Sequence, residues 1–238
     1  ERLAMKLADR LDADDAAMLQ RSTQTIVNQV TSLKHMVDDF REYARTPPAQ
    51  MQDIDLNALL TDVLTLYGWD PAEPGHAPAR SGVRIDARLA EPLPLIQGDP
   101  AQLRQVIHNL LANARDAAST HAAPGTAEIR IQTRLIAPDD PADHARIRLT
   151  VSDNGPGFAP EVLHRVFEPY VTTKATGTGL GLAIVKKIIE EHGAQVDISN
   201  RSEGGARISI LFSRLADGIV RLDAEDQAQD NTHNTQVR

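Results

Sequence analysis

The chain has 238 residues, 41% of them hydrophobic and 24% charged, enough for one substantial core and a smaller helical element. Its formal net charge of -8 argues against non-specific binding to nucleic acid or anionic lipid, both of which need a positive surface to attract phosphates. With no cysteine, disulfide scaffolds, thiolate zinc sites and cysteine nucleophiles are excluded, and no apolar run approaches the roughly 18 residues that a membrane span requires.

Glu1 to about Arg10 reads as the tail of a helix, and Asp12 to Asp15 as a turn that caps the next one. Because Glu1 already lies inside a helical pattern, the chain reads as a fragment. From Leu19 the apolar residues Ile26, Val30, Leu33, Val37, Phe40 and Ala44 step alternately by four and three, the seam of a bundle or coiled-coil helix, with Thr23 its weak layer. Pro47 and Pro48 predict its end at Thr46. Residues 1–46 are therefore expected to form two antiparallel helices, one cut short. So narrow a stripe buries too little to offset the ordering of an isolated hairpin, and pairing with a second copy into a four-helix bundle would supply the missing surface.

Beyond the prolines the pattern becomes mixed. Asp55 caps a predicted helix to about Tyr67, and residues 68–82 read as an exposed loop. Val83 to Leu89 alternates like a strand, and Leu95 to Gln97 reads as a short second one. Asp99-Pro100 then opens a long helix to about Ser119, with an N-cap followed by proline at the first helical position. Glu128 to Ile136 and Arg146 to Ser152 alternate with period two and read as paired strands around the polar residues 138–144. Leu180 to His192 is a predicted helix. Gln195 to Ser199 and Arg207 to Phe212 close the sheet through the Glu203-Gly204-Gly205 turn. From Ala216 onward the chain is polar, lacks aromatics and is expected to be disordered. Helices and antiparallel strands segregate, which predicts an α+β two-layer sandwich.

Four short segments carry the chemistry. Asn109, Asn113 and Asp116 share one face of the long helix, where carboxamide oxygens suit Mg²⁺, a hard ion that prefers oxygen. Asp153-Asn-Gly155-Pro-Gly157 follows a strand, so its carboxylate can accept from an adenine amino group while the glycines let backbone approach a flat ring. Phe167 to Lys174 ends in a lysine able to reach outer phosphates as a point charge. Gly177-Thr178-Gly179-Leu180-Gly181 precedes a helix and offers amide donors and a positive helix end to phosphate.

In this order and spacing the segments resemble the N box, first glycine box, F box and second glycine box of the histidine-kinase branch of the gyrase, Hsp90, histidine kinase and MutL ATPase superfamily. Phe-Glu-Pro-Tyr-Val-Thr-Thr-Lys174, followed by Gly-Thr-Gly-Leu-Gly-Leu-Ala-Ile-Val185, looks most like the nitrogen-regulation sensors of the NtrY and NtrB type. The resemblance covers Glu1 to about Phe212 and makes residues 47–215 an ATP-binding catalytic domain. It implies that Asn113, supported by Asn109, coordinates Mg²⁺, and that Asp153 holds the adenine with Gly155 and Gly157 shaping its pocket. Asp116 belongs to the nucleotide-binding set. Lys174 and a lid from Thr172 to Gly181, which includes Thr173, Gly177, Thr178, Gly179 and Leu180, would close on the phosphates.

Where gyrase-like relatives carry a water-activating glutamate, this chain has Asn109. An amide cannot take a proton, so phosphoryl transfer is favoured over hydrolysis. The resemblance places the accepting histidine in a His-Glu/Asp-x-Lys/Arg-Asn-Pro setting on the first bundle helix, and no histidine here has it. His35 reads as a flanking bundle residue and His108 as structural; His76, His121 and His144 fall in loops, His164 and His192 near helix ends, and His233 in the tail. The expectation is thus a protein-histidine kinase core that uses ATP and Mg²⁺, lacks its acceptor and does not autophosphorylate alone. Its parent would dimerise through the hairpin, pass phosphate to a response-regulator receiver domain, and sit in the inner membrane with this segment in the cytoplasm. The alternative is a non-catalytic dimeric scaffold that binds nucleotide only to set conformation.

Overall fold

The computed structural model describes residues 12–44, 48–72, 82–121, 126–138, 144–174 and 177–216. The expected first arm at Glu1 to Arg10, most of the loop over residues 68–82, with His76, and the tail from 217, with His233, lie outside them.

Helix α1 runs over Ala13–Ala44. Asp12 is its cap: the carboxylate accepts from the Asp15 N–H at 2.9 Å, so Asp14 and Asp15 already lie in the first turn, where the helix dipole favours acids. The heptad-like seam is present, and no other element among the described residues covers it. Ile26, Val30, Leu33, Val37 and Phe40 are each at least half exposed, an arrangement that costs free energy unless another helix covers it.

The remaining elements build one α+β unit. They are β1 (Gln52–Ile54), α2 (Leu56–Leu66), β2 (Arg84–Arg88), β3 (Ile96–Gly98), α3 (Pro100–His121), β4 (Glu128–Ile136), β5 (Arg146–Asp153), α4 (Pro160–Leu163), α5 (Gly181–Glu191), β6 (Gln195–Asn200) and β7 (Ala206–Phe212). Five strands form one sheet in the order β2-β4-β5-β7-β6. Its inward positions, among them Ile129, Ile131, Leu149, Val151, Ile208 and Ile210, are buried against the helices, while Arg130, Arg134, Arg148 and Arg207 point outward, the alternation a half-buried sheet requires.

Two features depart from the sequence expectation. Strand β2 pairs with β4 in parallel, so the sheet is mixed rather than antiparallel throughout; the connection between them contains α3, and a helical crossover is what a parallel neighbour needs. The second is β1, which was not expected and pairs with β3, Gln52 opposite Gly98 and Ile54 opposite Ile96. Other bounds shift by a residue or two: α3 extends to His121, and Asp153 is the last residue of its strand rather than the first beyond it.

Capping fixes the helices that matter for the site. Asp55 accepts from the Ala58 N–H at 3.0 Å at the start of α2. Asp99 accepts from the Ala101 and Gln102 N–H groups at 2.9 and 3.1 Å, and its second oxygen holds the Gln50 N–H at 2.8 Å. Burial pushes the Asp99 carboxyl upward, but these donors outweigh it and hold it below the usual carboxylate value. Buried His192 at the end of α5 accepts from the Asp99 N–H through Nε2 at 2.9 Å, while its Nδ1 lies 2.7 Å from the Ile188 carbonyl. The two helices are thereby pinned to each other.

Beneath α2 a small polar ring is closed at the edge of the core. The Asn57 amide donates to the Ala90 carbonyl at 2.8 Å, the Ala90 N–H to Thr133 Oγ1 at 2.8 Å, and Thr133 Oγ1 to Asn57 Oδ1 at 3.0 Å. Thr133 is fully buried without a penalty because its hydroxyl is used in both senses.

Candidate functional site

A cavity of about 830 Å³ lies between α3, the β5 and β7 ends of the sheet, and residues 171–174, 177–179 and 181. Its size is that of a small-molecule site. The buried stripe of α3, Leu103, Ile107, Leu110, Ala114 and Ala118, faces the core, and the positions beside it at spacings of four, three and four, Asn109, Asn113, Asp116 and Thr120, line the cavity.

Lys174 crosses to that helix. Its ammonium donates to Asn113 Oδ1 at 3.1 Å and to Asp116 Oδ2 at 3.0 Å. The Asn109 amide donates to the Gly181 carbonyl at 3.5 Å, linking α3 to the first residue of α5. Gly181 itself has room around it, with Asn113 Nδ2 at 3.7 Å from where a Cβ would stand.

Asp153 lines the same cavity from the sheet. Its Oδ1 accepts from the Gly155 N–H at 2.8 Å and the Ala206 N–H at 3.3 Å. Burial pushes this carboxyl above its ordinary value, against the pull of those donors and of Arg201. Gly155 is packed against α3, where a Cβ would come within 2.8 Å of the Ala117 carbonyl; it supports the cavity wall without lining it. Gly157 does line it, at φ +73°, a backbone region that favours glycine.

Tyr170 and Gly179 meet across the base of the cavity-lining segment. Tyr170 has φ 67°, rare for a residue with a Cβ, and its N–H donates to the Gly179 carbonyl at 3.0 Å. Gly179 also has positive φ, and a side chain there would strike the Tyr170 backbone at 2.6 Å. Thr172 Oγ1 accepts from the Lys174 N–H at 3.1 Å, and Thr178 Oγ1 from the Leu180 N–H at 3.4 Å. Thr172, Thr173, Gly177 and Thr178 line the cavity, whereas Leu180 is fully buried. The Leu180 side chain therefore packs in the core and does not face the cavity, a correction to its expected place.

Among the described residues five histidine side chains are placed, with His144 exposed just ahead of β5. His108 lies with its Nδ1 3.4 Å from the Tyr67 hydroxyl, and His192 is the buried pin described above. His164 caps α4 and His121 ends α3. Reading the sequence missed the residues that hold the Gly155–Gly157 loop from behind, Asn200 at the end of β6 and Arg201 directly after it. Nothing local marks them, because their partners lie more than forty positions away.

The oxygens at the Lys174 end of the cavity already accommodate a cation, the ammonium itself, so a Mg²⁺ ion suits the donor set of Asn113 with Asn109 beside it. Among the described residues no three acidic or imidazole side chains converge on a metal position.

A family profile described as histidine kinase-, DNA gyrase B- and HSP90-like ATPase matches residues 98–216, from the end of β3 to just past β7. The chain belongs to this ATPase family. Within the family its relatives are sensor kinases. Sensor histidine kinase ZraS of Escherichia coli O157:H7 is 31% identical over 223 residues, covering 94% of this chain and 43% of ZraS. Nitrogen regulation protein NtrY of Azorhizobium caulinodans is 32% identical, covering 96% of this chain and 28% of NtrY. The crystal structure of full-length ShkA in complex with AMPPNP superposes with a TM-score of 0.61 at 27% identity, over 90% of this chain and 42% of that one. The chain thus spans less than half the length of each of these proteins, and it carries the ATP-binding catalytic domain of the histidine-kinase branch of the ATPase family.

Proposed function

We propose that this domain binds Mg·ATP in the cavity and, within the whole protein, delivers the γ-phosphoryl group to a histidine for relay to a receiver-domain aspartate. The observation that carries the reading is that Lys174, Asn113 and Asp116 meet at one cavity that Asp153 also lines. The AMPPNP bound by ShkA supports the nucleotide, and the complex of histidine kinase ThkA with response regulator protein TrrA supports the partner.

The residues divide the work. Asp153 accepts the adenine amino group. Asn113, aided by Asn109, offers carboxamide oxygen to the metal, and Lys174 leaves Asp116 to meet the outer phosphates as the segment from Thr172 to Gly181 closes. Bound Mg²⁺ would neutralise phosphate charge and help align the transferring group. Asn109 contributes no base, since an amide cannot accept a proton, and that disfavours water as the nucleophile.

Calorimetry of Mg·ATP binding to the wild type and Asn113→Ala tests the site: a large Mg-dependent loss in the variant is expected, and equal affinity would sink the proposal. With an acceptor helix supplied in trans, acid-labile phosphate on its histidine is expected. Nucleotide binding with no such transfer would favour the non-catalytic scaffold instead.

The exposed seam of α1 supports homodimerisation in a helical bundle of the parent, which we place in the inner membrane with this segment on the cytoplasmic side. No helix among the described residues is long and apolar enough to cross a membrane. In the parent, Val30→Glu should shift sedimentation toward monomer; an unchanged dimer would exclude the seam as the interface.

A further inference from the structure

We infer that Asn200 is a positioning residue for adenine recognition, acting through the loop between Asp153 and Phe158. The inference rests on the nucleotide reading above and extends it to a side chain that does not line the cavity.

Asn200 is the last residue of β6. Its Oδ1 accepts from the Phe158 N–H at 2.8 Å and its Nδ2 donates to the Phe158 carbonyl at 2.7 Å. One side chain thus satisfies both main-chain groups of a residue on an irregular segment, as a neighbouring strand would. The fit is close. Gly157, at φ +73°, lies so near that a Cβ there would stand 2.7 Å from Asn200 Oδ1. Gly157 and Phe158 both line the cavity.

The other end of the loop is held from the same turn. Arg201, its side chain only 8% exposed, donates through one guanidinium nitrogen to the Asp153 carbonyl at 2.8 Å and pairs through the other with Glu203 at 2.7 Å. The Ala206 N–H holds Asp153 Oδ1, and the Gly205 carbonyl accepts from the Arg201 N–H at 2.9 Å. The turn between β6 and β7 therefore grips the loop at Asp153 and at Phe158, with Gly155 and Gly157 suspended between.

Such a grip bears on selectivity more than on phosphate binding. A carboxylate separates an amino purine from a keto purine only if the ring cannot shift to relieve a poor contact, because discrimination comes from leaving a fixed polar group unpaired. Releasing Phe158 loosens the wall that fixes the ring, whereas the groups at Asn113 and Lys174 sit on α3 and the lid and keep their own supports.

The experiment compares dissociation constants for Mg·ATP and Mg·GTP, by calorimetry or competition, in the wild type, Asn200→Ala and Asn200→Asp, with thermal unfolding alongside. Asn200→Ala is expected to weaken ATP about tenfold, equivalent to about 1.4 kcal/mol, and GTP less than about twofold, so the preference for ATP collapses. Asn200→Asp keeps the acceptor for the Phe158 N–H but faces the Phe158 carbonyl with oxygen, and should lose the preference too; it carries the test if the alanine variant does not fold. Equal weakening of both nucleotides would mean a general structural role and overturn the inference, as would an unchanged preference. If the wild type binds neither nucleotide, or both alike, the reading of the cavity itself fails and this inference falls with it.

Discussion

Removing the charge from Asp116 should tighten nucleotide binding. Its carboxylate lies 3.0 Å from the Lys174 ammonium, and the two side chains are 50% and 39% exposed. At that distance in water-like surroundings the Coulomb attraction is about 1.4 kcal/mol, of which a partly exposed pair retains about 0.2–1 kcal/mol after screening and side-chain entropy. This amount opposes binding when Lys174 must let go of Asp116 to reach phosphate. Asp116→Asn is therefore expected to raise Mg·ATP affinity by about 1.5- to 5-fold, while Asn113 still accepts from the lysine. Calorimetry across ionic strength should show the gain shrinking as the screening length falls from about 10 Å at 0.1 M to about 3 Å at 1 M. A double-mutant cycle with Lys174→Met isolates the pair: without the lysine, the Asp116 change should matter much less. A tenfold loss on Asp116→Asn, or a gain that persists undiminished beside Lys174→Met, would refute the reasoning.

Two adjacent glycines offer a contrast in stability. Gly204→Ala places a Cβ at φ +92° with nothing within 4 Å, so its cost should be about 1–2 kcal/mol from backbone conformation alone. Gly205→Ala, at φ +89°, would drive a Cβ into the Asp153 carbonyl and should cost clearly more and weaken nucleotide binding; matching denaturant midpoints for the two variants would contradict this. The raised Asp153 carboxyl predicts a pH signature. Because its folded value lies above the unfolded one, Asp153 favours the fold at low pH and that contribution is lost as pH rises through the folded value. Adenine-nucleotide affinity should run the other way, rising with ionisation along an acid limb displaced upward from the ordinary value of about 3.9. Binding isotherms from acid to neutral pH check it, and Asp153→Asn should abolish the limb.

The sequence makes plain whatever is encoded by short-range pattern. Period-two alternation gives β4 its bounds, Glu128–Ile136, and Asp99-Pro100 marks the start of α3 because capping is a contact within one turn. The spacing of Asn109, Asn113 and Asp116 foretells a shared face that now lines the cavity. What stays hidden depends on distant partners. Strand β1 is three residues long and exists only through its pairing with β3, so it has no periodicity of its own. The parallel pairing of β2 with β4 joins segments some forty positions apart, and neither strand's own alternation tells its direction. Lys174 reads as a phosphate ligand, but its partner Asp116 is 58 positions away. Leu180 stands inside a glycine-rich run that suggests exposure, yet its side chain is claimed by the core.

The ring of Asn57, Ala90 and Thr133 constrains how this domain can drift or be redesigned. Thr133→Val, nearly the same in shape, would orphan a half-buried acceptor on Asn57 and a half-buried amide at Ala90, together costing about 1–3 kcal/mol. Changing Asn57 alone would strand the Thr133 hydroxyl and the Ala90 carbonyl. Replacing both side chains at once would still leave the Ala90 N–H and carbonyl without partners, since backbone groups cannot be substituted away, so the polar side chains at 57 and 133 are what lets this stretch of backbone lie against α2 and β4.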